Sequence, residues 1–201
     1  MLFVITGPSG CGKSTLVWKT LGNLKNINFS VSHTTRKKRD AETEGKDYYF
    51  VTRDEFETMI QGDKFAEWAV VHGNYYGTSK REIERKGIRS DLLLDIDIQG
   101  AEQIKEKLRK GLFVFVLPPS FRVLKKRLVN RRNEKAESVE KRLEVARKEV
   151  RHYYEFDYII INDKLEDAVE ELKAIIISSR CSLELSKKKI LPILRSFSKD
   201  R

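Results

Sequence analysis

The chain has 201 residues, 40% of them hydrophobic and 35% charged, which at roughly 150 residues per domain predicts one compact domain with room for an inserted lobe. No apolar run approaches the roughly 18 residues needed to cross a bilayer, so a membrane-spanning protein is excluded. Lysine and arginine number 40 against 30 acidic residues: residues 121–151 carry 12 basic and 5 acidic side chains, residues 180–201 carry 7 and 2, and the rest is slightly acidic. A basic surface of this kind suits nucleic acid, anionic lipid or a phosphorylated small molecule, and composition does not separate them. Met1 leads directly into a strand-like run, which predicts a cytoplasmic protein without a secretory leader. Cys11 and Cys181 make neither a disulfide framework nor a zinc cluster.

In chain order, unbroken apolar runs at residues 2–6, 92–96, 112–117 and 158–161 read as parallel strands covered on both faces. A weaker fifth strand is predicted at residues 29–31. Helical stretches separate the runs: residues 15–21 are helix-compatible, residues 101–110 are rich in Glu, Gln and Lys, and Val139, Leu143, Ala146 and Val150 form an amphipathic stripe. Strand alternating with helix predicts an α/β sheet. The segment from about 32 to 90 breaks this rhythm with Tyr48, Tyr49, Tyr75 and Tyr76 among Gly45, Gly73 and Gly77, and reads as an inserted lobe. Short strands at 48–51 and 66–71 and helices at 53–61 and 79–86 are expected within it. The last residues, with Lys187, Lys188 and Lys189, read as a helix end followed by a loosely attached basic tail.

Gly7, Pro8, Ser9, Gly10, Cys11, Gly12, Lys13 and Ser14 fit the G-x-x-x-x-G-K-[ST] phosphate loop, after a predicted strand and before a helix that opens at Thr15. Such a loop curls successive N–H groups and a helix N-terminus around a polyphosphate, adds the Lys13 charge, and offers the Ser14 hydroxyl to Mg²⁺. The alternative is an ordinary strand-to-helix turn. Cys11, beside a helix N-terminus, is either a thiol of lowered pKa open to oxidation or a filler of a variable position. His33, His72 and His152 share no metal-ligand spacing and read as structural or surface residues.

After the loop come Ser30-Val31-Ser32-His33-Thr34-Thr35-Arg36 with Arg39, then Gly45-Lys46-Asp47-Tyr48-Tyr49-Phe50-Val51, Glu67-Trp68-Ala69, Gly73-Asn74-Tyr75-Tyr76-Gly77-Thr78 and Leu94-Asp95-Ile96-Asp97 with Gln99-Gly100. This series closely resembles guanylate kinase from about residue 2 to residue 180. The resemblance implies a three-layer, phosphate-loop nucleoside monophosphate kinase fold with a parallel five-stranded core. On that pattern residues 1–31, 89–128 and 143–180 are core, 32–88 a GMP-binding lobe, 129–142 a lid and 181–201 a basic tail.

Carried over by position, Ser32, Glu67, Thr78 and Asp97 fall to the guanine base, and Arg36, Arg39, Tyr48 and Tyr76 to the GMP phosphate. The chemistry agrees: guanine presents N1–H and an amino group to carboxylates and O6 to a hydroxyl. Adenine would set a lone pair against a buried carboxylate, and sites built this way discriminate by about 10⁴–10⁵. Guanidinium forks suit a bidentate dianion. The alternative for residues 36–39 is a solvated basic turn, or a nuclear-import-like or RNA-binding patch, and Glu67 read alone is a solvated strand residue. Asp95 and Asp97, two apart at a strand end, are placed on one strand face, Asp95 toward Mg²⁺ through water and Asp97 toward the base.

Arg131 and Arg142 match the family's lid arginines, whereas Lys125, Lys126, Arg147 and Lys148 read as solvated helix faces. Lys38 stands where the family has proline, Ala41 where it has glycine, and Arg132 where it has glycine after the first lid arginine. The resemblance implies ATP-dependent conversion of GMP to GDP in purine nucleotide metabolism, with ATP and Mg²⁺ as donor and cofactor. Its partners are then small molecules, with no membrane and no nucleic acid among them. One alternative is a catalytically inactive, guanylate-kinase-like module that binds phosphopeptides; another, suggested only by charge, is a nucleic-acid-binding ATPase.

Overall fold

The computed structural model describes residues 1–87, 90–130 and 136–197, apart from the side chains of residues 136, 137 and 188. Strand β1 (Leu2–Thr6) enters the phosphate loop and α1 (Lys13–Leu21); β2 (Ile27–Phe29) follows. Then come β3 (His33–Thr34), β4 (Tyr49–Phe50), α2 (Arg53–Gln61), β5 (Phe65–Val71), β6 (Asn74–Ser79) and α3 (Lys80–Gly87). The chain returns through β7 (Asp91–Asp95), α4 (Ile98–Leu108), β8 (Leu112–Leu117), α5 (Phe121–Val129) and α6 (Ala136–Glu149). A 3₁₀ turn (Val150–Glu155), β9 (Tyr158–Ile161), α7 (Leu165–Arg180) and α8 (Leu183–Phe197) complete it.

The main sheet has the order β2-β7-β1-β8-β9, with every pairing parallel. Its strands lack polar alternation because both faces are covered. Phe3, Ile5, Val114 and Val116 point into one cluster with Leu16, Val17, Leu172 and Ile176 of α1 and α7. Val4, Leu92, Leu94 and Phe113 point into another with Ala101 and Ile104 of α4. These are the three layers, α/β/α. The fifth strand lies at Ile27–Phe29, two residues before its expected place.

Residues between β2 and β7 form a second sheet, β4-β3-β6-β5, in which β3 pairs parallel with β4 and antiparallel with β6. Helix α2 packs against it through Phe56, stacked on Phe65 at 4.4 Å and Tyr75 at 5.0 Å. Thr52 and Glu55 form a reciprocal capping box that starts α2 and contributes about 1 kcal/mol.

The structure departs from the sequence expectation in three further places. β7 ends at Asp95, and Asp97 is the N-cap of α4, accepting from the Gly100 N–H at 2.9 Å. The two carboxylates therefore do not share a strand face; the chain turns between them. α6 runs unbroken through residues 142 and 143, so Arg142 and the core residue Leu143 ride on one helix. The C-terminal segment is not a loose tail over residues 183–197 but a 15-residue helix.

Candidate active site

Above the carboxyl ends of β1 and β7 lies a cleft of about 480 Å³, lined on one side by the phosphate loop and on the other by residues of the second sheet. Gly12 has φ of 92°, and a Cβ there would lie 2.5 Å from the Asn162 side-chain nitrogen, so only glycine fits the loop at this point. The loop is pinned from behind: the Cys11 carbonyl accepts from Arg127 at 3.0 Å and from Asn162 at 2.8 Å. Lys13 donates to the Ile96 carbonyl at 2.9 Å and lies 3.3 Å from Asp95. Burial alone would lower the Lys13 pKa, but the adjoining Asp95 carboxylate more than offsets it and keeps the ammonium charged. The Ser14 hydroxyl donates to the other Asp95 oxygen at 2.8 Å.

On the opposite wall Glu67, on β5, is buried and directly opposite Thr78 on β6. Burial, reinforced by the neighbouring Asp97 carboxylate, pushes the Glu67 carboxyl up to about 7 against the hydrogen bonds from Thr78. Burial also raises Asp97, despite the Gly100 N–H and the Lys13 charge. Both acids crowd the first turn of α4, where a Cβ on Gly100 would meet the Glu67 Oε2 at 2.4 Å and the Asp97 Oδ1 at 3.1 Å. Ser32 shares a 3.3 Å hydroxyl contact with Thr78. Ser32, Glu67 and Asp97 line the cleft, while Thr78 stands fully buried behind Glu67.

The third cluster is cationic and aromatic. The Arg36 guanidinium lies over the Tyr48 ring at 5.4 Å and the Phe50 ring at 5.8 Å, with its Nε donating to the Tyr76 hydroxyl at 3.2 Å. Burial in this wall, with the Asp95 charge behind it, keeps the Tyr48 phenol protonated well above its usual range. Arg39 is the more open of the two arginines, its side chain 60% exposed. From α6, Arg142 reaches the phosphate loop and donates to the Ser9 hydroxyl at 2.7 Å. The cleft thus gathers Lys13, Ser14, Asp95, three of the four guanine-site residues (Ser32, Glu67 and Asp97, with Thr78 behind them) and the phosphate-site set named from sequence, together with Arg142; Arg131 and Arg132 lie outside the described residues.

The guanylate kinase family model matches residues 1–179. The chain is 46% identical over 182 residues to the guanylate kinase of Geobacter metallireducens, covering 90% of each. It is 45% identical over 190 residues to that of Thermotoga maritima, covering 94% of this chain and 92% of the relative. The crystal structure of guanylate kinase from Anaplasma phagocytophilum superposes with a TM-score of 0.76 at 32% identity, over 94% of this chain and 95% of that one. The chain belongs to the guanylate kinase family. Its fold is that of a phosphate-loop nucleoside monophosphate kinase, and its reaction is the ATP-dependent phosphorylation of GMP to GDP.

For this guanylate kinase the structure decides between the two readings of Cys11 and leaves His152 a surface residue. Cys11 is not an activated thiol: it is buried among core residues, and desolvation pushes its pKa up to about 11 despite the nearby Lys13 charge. His152 does keep company with acidic groups, Glu155 at 2.9 Å and Glu102 at 3.5 Å, on the surface outside the cleft. Residues that line or brace the site but were not picked out from the sequence include Glu42, Arg127, Glu149 and Asn162. Glu149, one helix with Arg142, accepts from the Ser9 N–H, while burial raises its pKa. Of these only Asn162 had a local cue, its place directly after the last strand run.

Proposed function

We propose that this guanylate kinase transfers the γ-phosphoryl group of ATP in line to a GMP phosphate oxygen across the cleft, with residues in the roles that follow. The observation that carries the assignment is that a single cleft is lined by the phosphate loop on one wall and by Glu67, Asp97, Arg36 and Arg39 on the other. No general base is required, because the attacking phosphate oxygen is already anionic near neutral pH. Two anions must instead be held together against their repulsion, which calls for alignment and fixed positive charge.

Residues 7–15 cradle the ATP phosphates with backbone N–H groups at the head of α1, and Lys13 places its ammonium among them. Ser32, Glu67 and Asp97 read the guanine edge; Thr78 acts from behind by holding Glu67 and Ser32. Arg36, Arg39, Tyr48 and Tyr76 take the GMP phosphate. Arg142 covers the transferring group from α6, and Arg131 is assigned the same task. Closure of the 32–88 lobe over both substrates excludes water that would otherwise hydrolyse ATP.

The donor set beside Lys13 fits Mg²⁺: a serine hydroxyl and an aspartate carboxylate, both hard oxygen donors, already face each other at 2.8 Å. Ser14 would hold the ion directly and Asp95 through water, and the ion would supply positive charge that offsets the negative charge of the phosphates during transfer. No described helix is long and apolar enough to cross a membrane, and the proposal places the enzyme in the cytoplasm with small molecules as its partners.

A nucleotide panel in a coupled ADP-release assay tests the reading. GMP is expected to be phosphorylated with ATP and Mg²⁺, and AMP, CMP and UMP to be poor acceptors. Comparable rates on AMP would overturn the base assignment.

A further inference from the structure

The phosphate-site arginines are not waiting as free cations. Glu42, three residues after Arg39 and itself in the cleft wall, grips both. Its two oxygens accept from the Arg36 Nη2 at 2.7 Å and Nη1 at 3.0 Å, an end-on bidentate pair in which both side chains are only 15% exposed. The Arg39 backbone N–H donates to the same carboxylate at 2.8 Å, and the Arg39 guanidinium lies 3.7 Å away. Arg36 spends another donor on the Lys37 carbonyl at 2.7 Å and its Nε on Tyr76. A guanidinium has five N–H donors. Four are therefore committed inside the protein, and one on Nη2 is left for a ligand.

Two roles are open to Glu42. As a stand-in anion, it would fill the phosphate site until GMP displaced it. As a brace, it would stay and fix the arginines. The number of its bonds decides for the brace. To leave, the carboxylate would have to give up two charged hydrogen bonds and a backbone N–H together, and the Arg39 N–H would lose its acceptor. Arg36, stacked on Tyr48 and Phe50, has no free rotation to recover with. Burial opposes ionisation of Glu42, yet the bonds from Arg36 and from the Arg39 N–H hold its carboxyl below the usual range, so it stays an anion throughout the neutral region.

We infer that Glu42 is a positioning residue of the GMP phosphate subsite, fixing Arg36 as a rigid, singly available donor and holding Arg39 beside it as the principal mobile phosphate ligand. The inference rests on the proposed placement of the GMP phosphate at Arg36 and Arg39. A second consequence is electrostatic: one carboxylate against two guanidinium groups leaves the fork with one net positive charge. Phosphate affinity is thereby limited and product release eased, while Tyr76, whose oxygen already accepts from Arg36, has its O–H to donate to the phosphate.

Binding of GMP and of guanosine, which lacks the phosphate, should be measured by calorimetry on the wild type and on Glu42→Gln, Glu42→Ala and Arg36→Ala, with steady-state kinetics alongside. Loss of the brace predicts that GMP binding weakens about tenfold in Glu42→Gln and more in Glu42→Ala, with guanosine affinity and KM for ATP unchanged and kcat at saturation within about threefold. Unchanged guanosine affinity also shows that each variant is folded around the base. Tighter GMP binding in Glu42→Gln would make Glu42 a competing anion and overturn the inference, and so would unchanged GMP binding while Arg36→Ala loses its preference for GMP over guanosine. If Arg36→Ala keeps that preference, the phosphate site itself is misplaced, and the role given to Glu42 falls with it.

Discussion

Glu67 combines burial with a charge-dependent task, and the two pull in opposite directions. In the proposed base-reading role it must be ionised to accept from the guanine N1–H and amino group, yet desolvation has pushed its carboxyl up to about 7. Guanosine, having no phosphate to titrate, isolates this group: its dissociation constant should rise about tenfold for each pH unit below 7 and level off above it. A flat profile between pH 5.5 and 8.5 would remove Glu67 from the acceptor role. Stability should move the other way. A carboxyl whose folded pKa lies above its unfolded value stabilises the fold at pH below about 4.5, and that contribution is lost as pH rises through about 7. At pH 8 the ionised form costs on the order of 3 kcal/mol. Glu67→Gln should therefore gain more in melting temperature at pH 8 than at pH 5, while losing its discrimination against AMP. Equal shifts at the two pH values would show that the carboxyl is not strained by burial.

In the proposed arrangement the phosphate loop and α6 meet at the transferring phosphoryl group, and the two elements are tied at Ser9: its hydroxyl accepts from Arg142 and its N–H donates to Glu149. Arg142→Ala should lower kcat by about 10² with little change in KM for GMP, because a lid cation gains most as charge redistributes in the transition state. Ser9→Ala removes only the anchor and should lower kcat far less; an equal loss would mean that Arg142 serves the loop rather than the substrate. Lys13→Ala should abolish transfer while melting stays cooperative, since its contacts run to Asp95 and the Ile96 carbonyl rather than into the hydrophobic core. The phosphate loop and the four apolar strand runs were legible in sequence because each is a local pattern. β3, two residues long, was not, since its identity comes from pairing with Tyr49–Phe50 and with β6. Glu42 was equally hidden: among neighbouring acids such as Asp40, Glu44 and Asp47, only the return of the loop picks out the one that meets Arg36.

Across the whole molecule the positive charge divides between two different jobs. Part of the 121–151 excess is absorbed by the cleft and its supports, with Arg127 bracing the loop and Arg142 lining the cleft. The C-terminal excess is carried by α8 and its surroundings, none of whose described residues lines the cleft, and the sequence hid this helix because Lys187–Lys189 read as a tail. Its apolar side chains do little core work: Leu183 is 70% exposed and Phe197 76%, with Leu191, Ile193 and Leu194 also more than half exposed. Pro192 inside it removes a helical hydrogen bond, so α8 is internally weak as well. The core closes one helix earlier, where Leu172 and Ile176 of α7 are fully buried and Arg180 bonds Asp91 at 2.7 Å and the Lys25 carbonyl at 3.0 Å. A chain truncated after Arg180 keeps all of these contacts. It should retain GMP kinase activity, with KM for both substrates unchanged and melting lowered by no more than about 3 °C, the equivalent of about 1 kcal/mol. A truncated enzyme that melts cooperatively but has lost kcat would show that α8 reaches the chemistry through contacts the full-length fold does not reveal at the cleft, and its basic face would then have to be counted with the lid.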